Sequence, residues 1–176
     1  MEGRGSVNGG EHWMALEGGA DKSAGDGPYT SRFVGIGASV PEQRVTSDAL
    51  MATTAHRTHI DLERLTGIHE HRVVSEGEDS YTLSLAAAQD ALSHTDFGAE
   101  DLDLLIVSSI TRYVGGLKMQ LEPPLSLSLK ETLGAGRAMS FDISNACAGM
   151  MTGVFIVNDL IRGRARVDTS VRRTLV

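Results

Sequence analysis

Two hydrophobic periods alternate along this chain: short apolar runs closed by glycine or proline, and longer stretches with helical spacing. Ser31–Gly37 (SRFVGIG) reads as a first strand, closed by Gly35, Gly37 and a turn at Pro41. Thr46 or Ser47 caps a helix over 48–55, and a second helical piece runs over 58–65. His71–Ser75 is a short strand; after the acidic loop 76–79, Ser80 caps a helix that continues to Ser93, with Leu83, Ala87, Ala91 and Leu92 on one side. Asp101–Ile110 (DLDLLIVSSI) is a continuous apolar run of the kind buried on both faces in parallel sheets. A loop with Gly115-Gly116 follows. Pro123-Pro124 opens a helix through Leu133 that Gly134 ends. A strand over 138–143, an apolar helix reaching Arg162 and a last apolar fragment, Thr174-Leu175-Val176, complete the series. Strand–helix alternation of this kind predicts an α/β layered, mostly parallel sheet. The last fragment opens like another strand with no turn signal behind it, which suggests a truncated polypeptide.

The only cysteine, Cys147, stands where the 138–143 strand hands over to the apolar helix, in Phe141-Asp142-Ile143-Ser144-Asn145-Ala146-Cys147-Ala148-Gly149-Met150. A thiol there faces the positive end of a helix dipole and the first-turn N–H groups. Both favour the thiolate, which is the nucleophile. The opposing reading is a small buried hydrophobe. Ser144, Asn145 and Asp142 are expected to shape the turn. Met150, Met151 and Phe155 are expected in the core, with the wall of a tunnel as the alternative, because the helix has almost nothing polar along Ala148–Val157 and reads as buried on all sides.

Composition changes the picture at the N-terminus. The first thirty residues hold eight glycines and few aliphatic side chains, so 1–30 reads as a disordered Gly-rich leader without a targeting pattern, and 31–176 as the domain. Net charge is −7 and the basic residues are scattered, which argues against a nucleic-acid surface. Arg162, Arg164, Arg166, Arg172 and Arg173 read as a solvated helix end. A lone cysteine excludes an intramolecular disulfide and fits a reducing cytoplasm, and no apolar run approaches the roughly 18 residues of a membrane span.

Two further motifs invite chemistry. Gly35-Ile36-Gly37-Ala38-Ser39-Val40 begins like a dinucleotide fingerprint, but Val40 replaces the third glycine and Pro41 forces a turn where a helix must start; a strand-ending glycine turn is the simpler reading. His56, His59, His69 and His71, with Glu63 and Glu70 nearby, allow a His-based metal-binding domain, although no spacing matches a known zinc pattern.

The order Pro41-Glu42-Gln43, then Thr66-Gly67-Ile68 with Glu70 behind it, then the 101–109 strand, then Phe141-Asp142 leading into Asn145-Ala146-Cys147-Ala148-Gly149 resembles the N-terminal half of a β-ketoacyl-acyl-carrier-protein synthase III, over roughly 31–166. The resemblance implies the thiolase fold: a mostly parallel five-stranded mixed sheet flanked by helices, with a buried central helix starting at Cys147. It implies that Cys147 takes an acyl group from acyl-CoA for condensation with malonyl-acyl-carrier protein, in fatty acid or polyketide biosynthesis. No permanently bound cofactor is implied; acyl-CoA is a substrate, acyl-carrier protein a partner, and the enzyme a cytoplasmic homodimer. Two departures accompany it. The family's histidine and asparagine come from the C-terminal half, and none of His56, His59, His69, His71 or His94 stands in a matching motif, so this chain alone is expected to be inactive in condensation. The family often places a tryptophan and an arginine near the coenzyme A adenine where this chain has Asp61 and Leu65, which leaves Arg64 as the candidate cofactor-binding residue. A non-catalytic remnant or half-fold pairing module is the alternative.

Overall fold

A computed structural model describes residues 11–19, 30–55, 60–116, 118–163 and 171–176. Among these described residues, seven strands and five α-helices follow one another as β1 (Glu11–Gly19), β2 (Thr30–Ser39), β3 (Gln43–Thr46), α1 (Ser47–Ala52), α2 (Leu62–Thr66), β4 (Glu70–Val73), α3 (Ser80–Ser93), β5 (Leu104–Ser108), α4 (Leu125–Leu133), β6 (Met139–Ile143), α5 (Gly149–Gly163) and β7 (Arg173–Leu175). The main sheet has five strands in the order β2-β1-β7-β5-β6; β3 and β4 form a separate antiparallel pair. β5 pairs parallel with β6 and β7, whereas β1 runs antiparallel to both β7 and β2. Four strands therefore point one way and β1 alone opposes them.

Helices cover both faces. Leu105 and Val107 of β5 point into a core shared with Ala87, Ala88 and Ala91 of α3 and Leu125 and Leu129 of α4. Leu104 and Ile106 point the other way, to Val157 and Ile161 of α5. Burial on both faces explains why the β5 run has no polar alternation. The predicted α3 keeps its bounds, but Asp79 rather than Ser80 caps it, accepting from Thr82 N at 2.8 Å in a capping box. Gly134, in the left-handed region at φ 77°, ends α4 as expected.

Three expectations are corrected. Residues 11–19 are not part of a disordered leader: they form β1, near the middle of the sheet, with Trp13 and Ala15 buried towards α3 and Leu16 towards α5. The glycines of 1–30 hide a segment whose alternate side chains feed both cores; the rest of 1–30, up to Tyr29, lies outside the described residues. Gly35 and Gly37 do not close a strand. They lie within β2 against α3, where a Cβ on Gly37 meets Ala91 N at 2.2 Å and Ala87 O at 2.3 Å. Close helix-on-strand packing requires glycine there. The Arg-rich stretch is not one helix end either, for Arg173 belongs to β7 and pairs with Asp101 at 3.4 Å and Glu17 at 3.7 Å; Arg164 and Arg166 lie outside the described residues.

Helix α5 is also not buried on all sides. Gly153, Val157 and Ile161 face the sheet, but Met151 is 64% and Phe155 66% exposed, so these two are not core. The strand edges flanking it expose Phe33 and Ile36 on β2 and Met139 and Phe141 on β6. Their cross-strand partners are Leu16, Met14, Leu104 and Ile106, all in the α5-side cluster, so this whole layer presents apolar side chains outward.

Truncating Trp13 tests the role of β1. Trp13→Ala is expected to lower the unfolding free energy by about 3–5 kcal/mol, read by urea denaturation. A change near zero would return residues 11–19 to a leader.

Candidate active site

The C-terminal ends of the parallel pair β5 and β6 lie side by side, with Ser108 opposite Ile143. In α/β sheets this is the edge at which chemistry gathers. The chain leaves β6 through Ser144 and Asn145, makes a 3-10 turn over Ala146–Ala148, and enters α5 at Gly149. Cys147 is thus in the turn ahead of α5 rather than its first residue, a difference from the expected helix start. Its thiol is free and exposed. Small neighbours keep the approach open: Ala146, Ala148 and Asn145 are exposed as well.

The turn is held under tension. Ala146 has φ 40°, the only described non-glycine residue with positive φ, a conformation that costs about 1–3 kcal/mol unless its surroundings impose it. They do so on both sides. After the turn, Asn145 Nδ2 donates to Thr152 Oγ1 at 2.8 Å, and Thr152 Oγ1 donates to Ala148 O at 2.9 Å. Ser108 Oγ donates to Gly149 O at 3.1 Å, which fixes the helix entry against β5. Before the turn, Ser144 Oγ accepts from Arg112 Nη2 at 2.6 Å.

Arg112 is itself anchored. Its Nε lies 3.0 Å from Asp142 Oδ2, with side chains only 15% and 11% exposed. Asp142 also accepts from Ser126 N at 2.9 Å through Oδ1 and from Leu125 N at 3.1 Å through Oδ2. Asp142 therefore serves the first turn of α4, not that of α5. A second carboxylate braces the same loop from the far side: Asp79 Oδ2 accepts from Gly115 N at 2.7 Å and Gly116 N at 3.3 Å. Sequence reasoning found Cys147, Asp142, Ser144 and Asn145 but missed Arg112 and Asp79. Their partners are distant in sequence, and Arg112 does not stand out in a loop that also carries Lys118, Gln120 and Glu122.

Arg64 stands elsewhere. It is exposed on α2 and lines a groove of about 650 Å³ with Ser47, Asp48, Met51, Ile60, Asp61, Leu62, Glu63 and His69; Cys147 is not part of that lining. Asp61 caps α2 by accepting from Arg64 N at 2.9 Å. The histidines diverge. His69 Nδ1 meets Glu63 Oε1 at 2.5 Å, and His71 Nε2 lies 3.4 Å from Ser47 Oγ. Among the described residues no three His, Cys, Asp or Glu side chains form a group suited to a metal; His56 and His59 lie outside them. Nor is any described helix long and apolar enough to cross a membrane.

Solved structures place this mixed sheet, covered by helices on both faces, in a thiolase-like fold. The priming β-ketosynthase of the R1128 polyketide biosynthetic pathway superposes with a TM-score of 0.65 at 30% identity, covering 74% of this chain and 37% of that one. The 3-oxoacyl-[acyl-carrier-protein] synthase III of Aquifex aeolicus VF5 gives a TM-score of 0.63 at 26% identity, over 74% and 40%. The β-ketoacyl-[acyl-carrier-protein] synthase III of Bacillus pumilus is 35% identical over 124 residues, 69% of this chain and 37% of the relative, and that of Streptomyces lividans 33% identical over 131 residues, 74% and 37%. The chain is similar to β-ketoacyl-acyl-carrier-protein synthase III proteins over about 70% of its own length and spans somewhat more than a third of the length of these relatives. No family model matches it.

Removing the Asp142 carboxylate should loosen the whole edge. Asp142→Ala is expected to cost about 3 kcal/mol, since it leaves Arg112 without its anion and two α4 N–H groups unpaired. Chemical denaturation measures this; a loss below about 1 kcal/mol would show an ordinary surface pair.

Proposed function

We propose that Cys147 is the acyl acceptor of a β-ketoacyl-acyl-carrier-protein synthase III type acyltransferase. The observation that supports this best is the exposed thiol on a turn pinned from both sides at the C-terminal edge of a parallel strand pair. In the proposed step the Cys147 thiolate attacks the carbonyl carbon of an acyl-CoA. The new C–S bond forms as the carbon–sulfur bond to coenzyme A breaks, and the coenzyme A thiolate leaves and takes up a proton. One thioester replaces another, so the step is close to neutral and divides a hard reaction in two. Backbone N–H groups at the turn and the start of α5 are suited to receive the developing oxyanion. The acylated chain then awaits malonyl-acyl-carrier protein, whose decarboxylative attack needs the histidine and asparagine that the family carries in its other half. The proposal includes a cytoplasmic setting, no resident cofactor, and Arg64 as a contact for coenzyme A.

Incubation with acetyl-CoA or a longer acyl-CoA should add one acyl mass to the Cys147 peptide, seen by mass spectrometry after digestion. Cys147→Ala should add none. Acyl uptake by the alanine variant, or no uptake by the parent chain, rejects the assignment.

A second reading is favoured by the outward apolar layer around α5, formed by Phe33, Ile36, Met139, Phe141, Met151 and Phe155. Contiguous faces of this kind mark association surfaces. In this reading the chain works paired, with a second copy as the proposed partner. Sedimentation at micromolar concentration should then give a dimer, and replacing Phe155 by Glu should give a monomer; a parent chain that stays monomeric rejects it.

A further inference from the structure

We propose that Arg112 is a positioning residue for Cys147: it clamps Ser144 and so imposes the strained backbone at Ala146 that presents the thiol. The inference deepens the acyl-acceptor reading and rests on it for its catalytic consequence. The clamp itself is independent of any acyl donor.

Three observations carry it. Ala146 has φ 40°, and its side chain is exposed, so core packing does not hold it there. A strained non-glycine conformation persists only where its neighbours over-determine it. The turn is tied down on its far side by Asn145 and Thr152 and on its near side by the Arg112–Ser144 bond. Arg112 carries the near-side tie through a largely buried ion pair with Asp142 to the start of α4, beside the weaker Ser144 Oγ to Ser109 O contact at 3.5 Å. Its own loop is braced by Asp79 at Gly115 and Gly116. The guanidinium suits this task, since it stands against a carboxylate through Nε, as an ion pair rather than a hydrogen bond, while Nη2 donates to a hydroxyl. A lysine, with one point of charge on a flexible stem, cannot hold both.

The test reads the thiol directly. The second-order rate of Cys147 alkylation by iodoacetamide is measured for the parent chain and for Ser144→Ala, Arg112→Lys, Arg112→Met and the Arg112→Met/Ser144→Ala pair. Ser144→Ala, which leaves the ion pair intact and should keep the parent's unfolding midpoint, is expected to slow alkylation about tenfold. Arg112→Lys is expected to behave like Ser144→Ala, and the double variant to be no slower than Arg112→Met, because both residues belong to one clamp. The decisive arm is suppression. Ala146→Gly removes the backbone penalty, so adding it to Ser144→Ala should return the rate to within about twofold of the parent.

An unchanged rate in Ser144→Ala, additive effects in the double variant, or failure of Ala146→Gly to rescue would each overturn the clamp. The outcomes separate from those of the function itself. Slowed and rescued alkylation in a chain that never takes up an acyl group supports the clamp and rejects the acyl-acceptor reading.

Discussion

One carboxylate ties the strand-to-helix edge of this molecule together. Asp142 is the penultimate residue of β6, and in that position it is close to fully buried. A charge there must be satisfied or it destabilises the fold, and Asp142 is satisfied from two directions, by the first N–H groups of α4 and by Arg112. Helix, strand and loop are thereby fixed to one point, and the turn bearing Cys147 begins four residues later. Beneath that edge the packing of the central strand is apolar. β5 is buried along Leu104–Val107, and its two faces feed separate apolar cores, which fix the layers but not the loops above them.

The sheet also has a strand in an unexpected place. β1 separates β2 from the parallel trio β7, β5 and β6 and runs against all of them. It supplies Trp13 and Ala15 to one core and Leu16 to the other, so the two cores are joined through it. Met14 exchanges backbone bonds with Val176, N to O at 2.7 Å and 3.0 Å, which links the first described strand to the last. On the α3 side β2 is drawn in so closely that Gly35 and Gly37 have no room for a Cβ.

Much of this was legible in the residues and some was not. The apolar run of β5, the Pro-to-Gly bounds of α4 and the span of α3 follow from local rules, and local rules sufficed. β1 was obscured because glycines on either side lower the average hydropathy of a segment whose alternate side chains nonetheless face two cores. Helix α5 looked buried all round because Thr152 is the one polar side chain from Gly149 to Val157; sequence reports the polarity of a face, not whether something covers it, and Met151 and Phe155 are uncovered here. The place of Cys147 between β6 and α5 was legible because the apolar alternation of the strand gives way there to a helical run. Arg112 was not, since its partners Asp142 and Ser144 come from another strand and its value lies in geometry that spacing does not encode.

The account stands on Cys147 being the atom that receives an acyl group, and protection measures that most directly. Prior incubation with excess acyl-CoA should block iodoacetamide at Cys147, and neutral hydroxylamine, which cleaves thioesters, should restore the alkylation. Alkylation that proceeds at the same rate with and without acyl-CoA would contradict it.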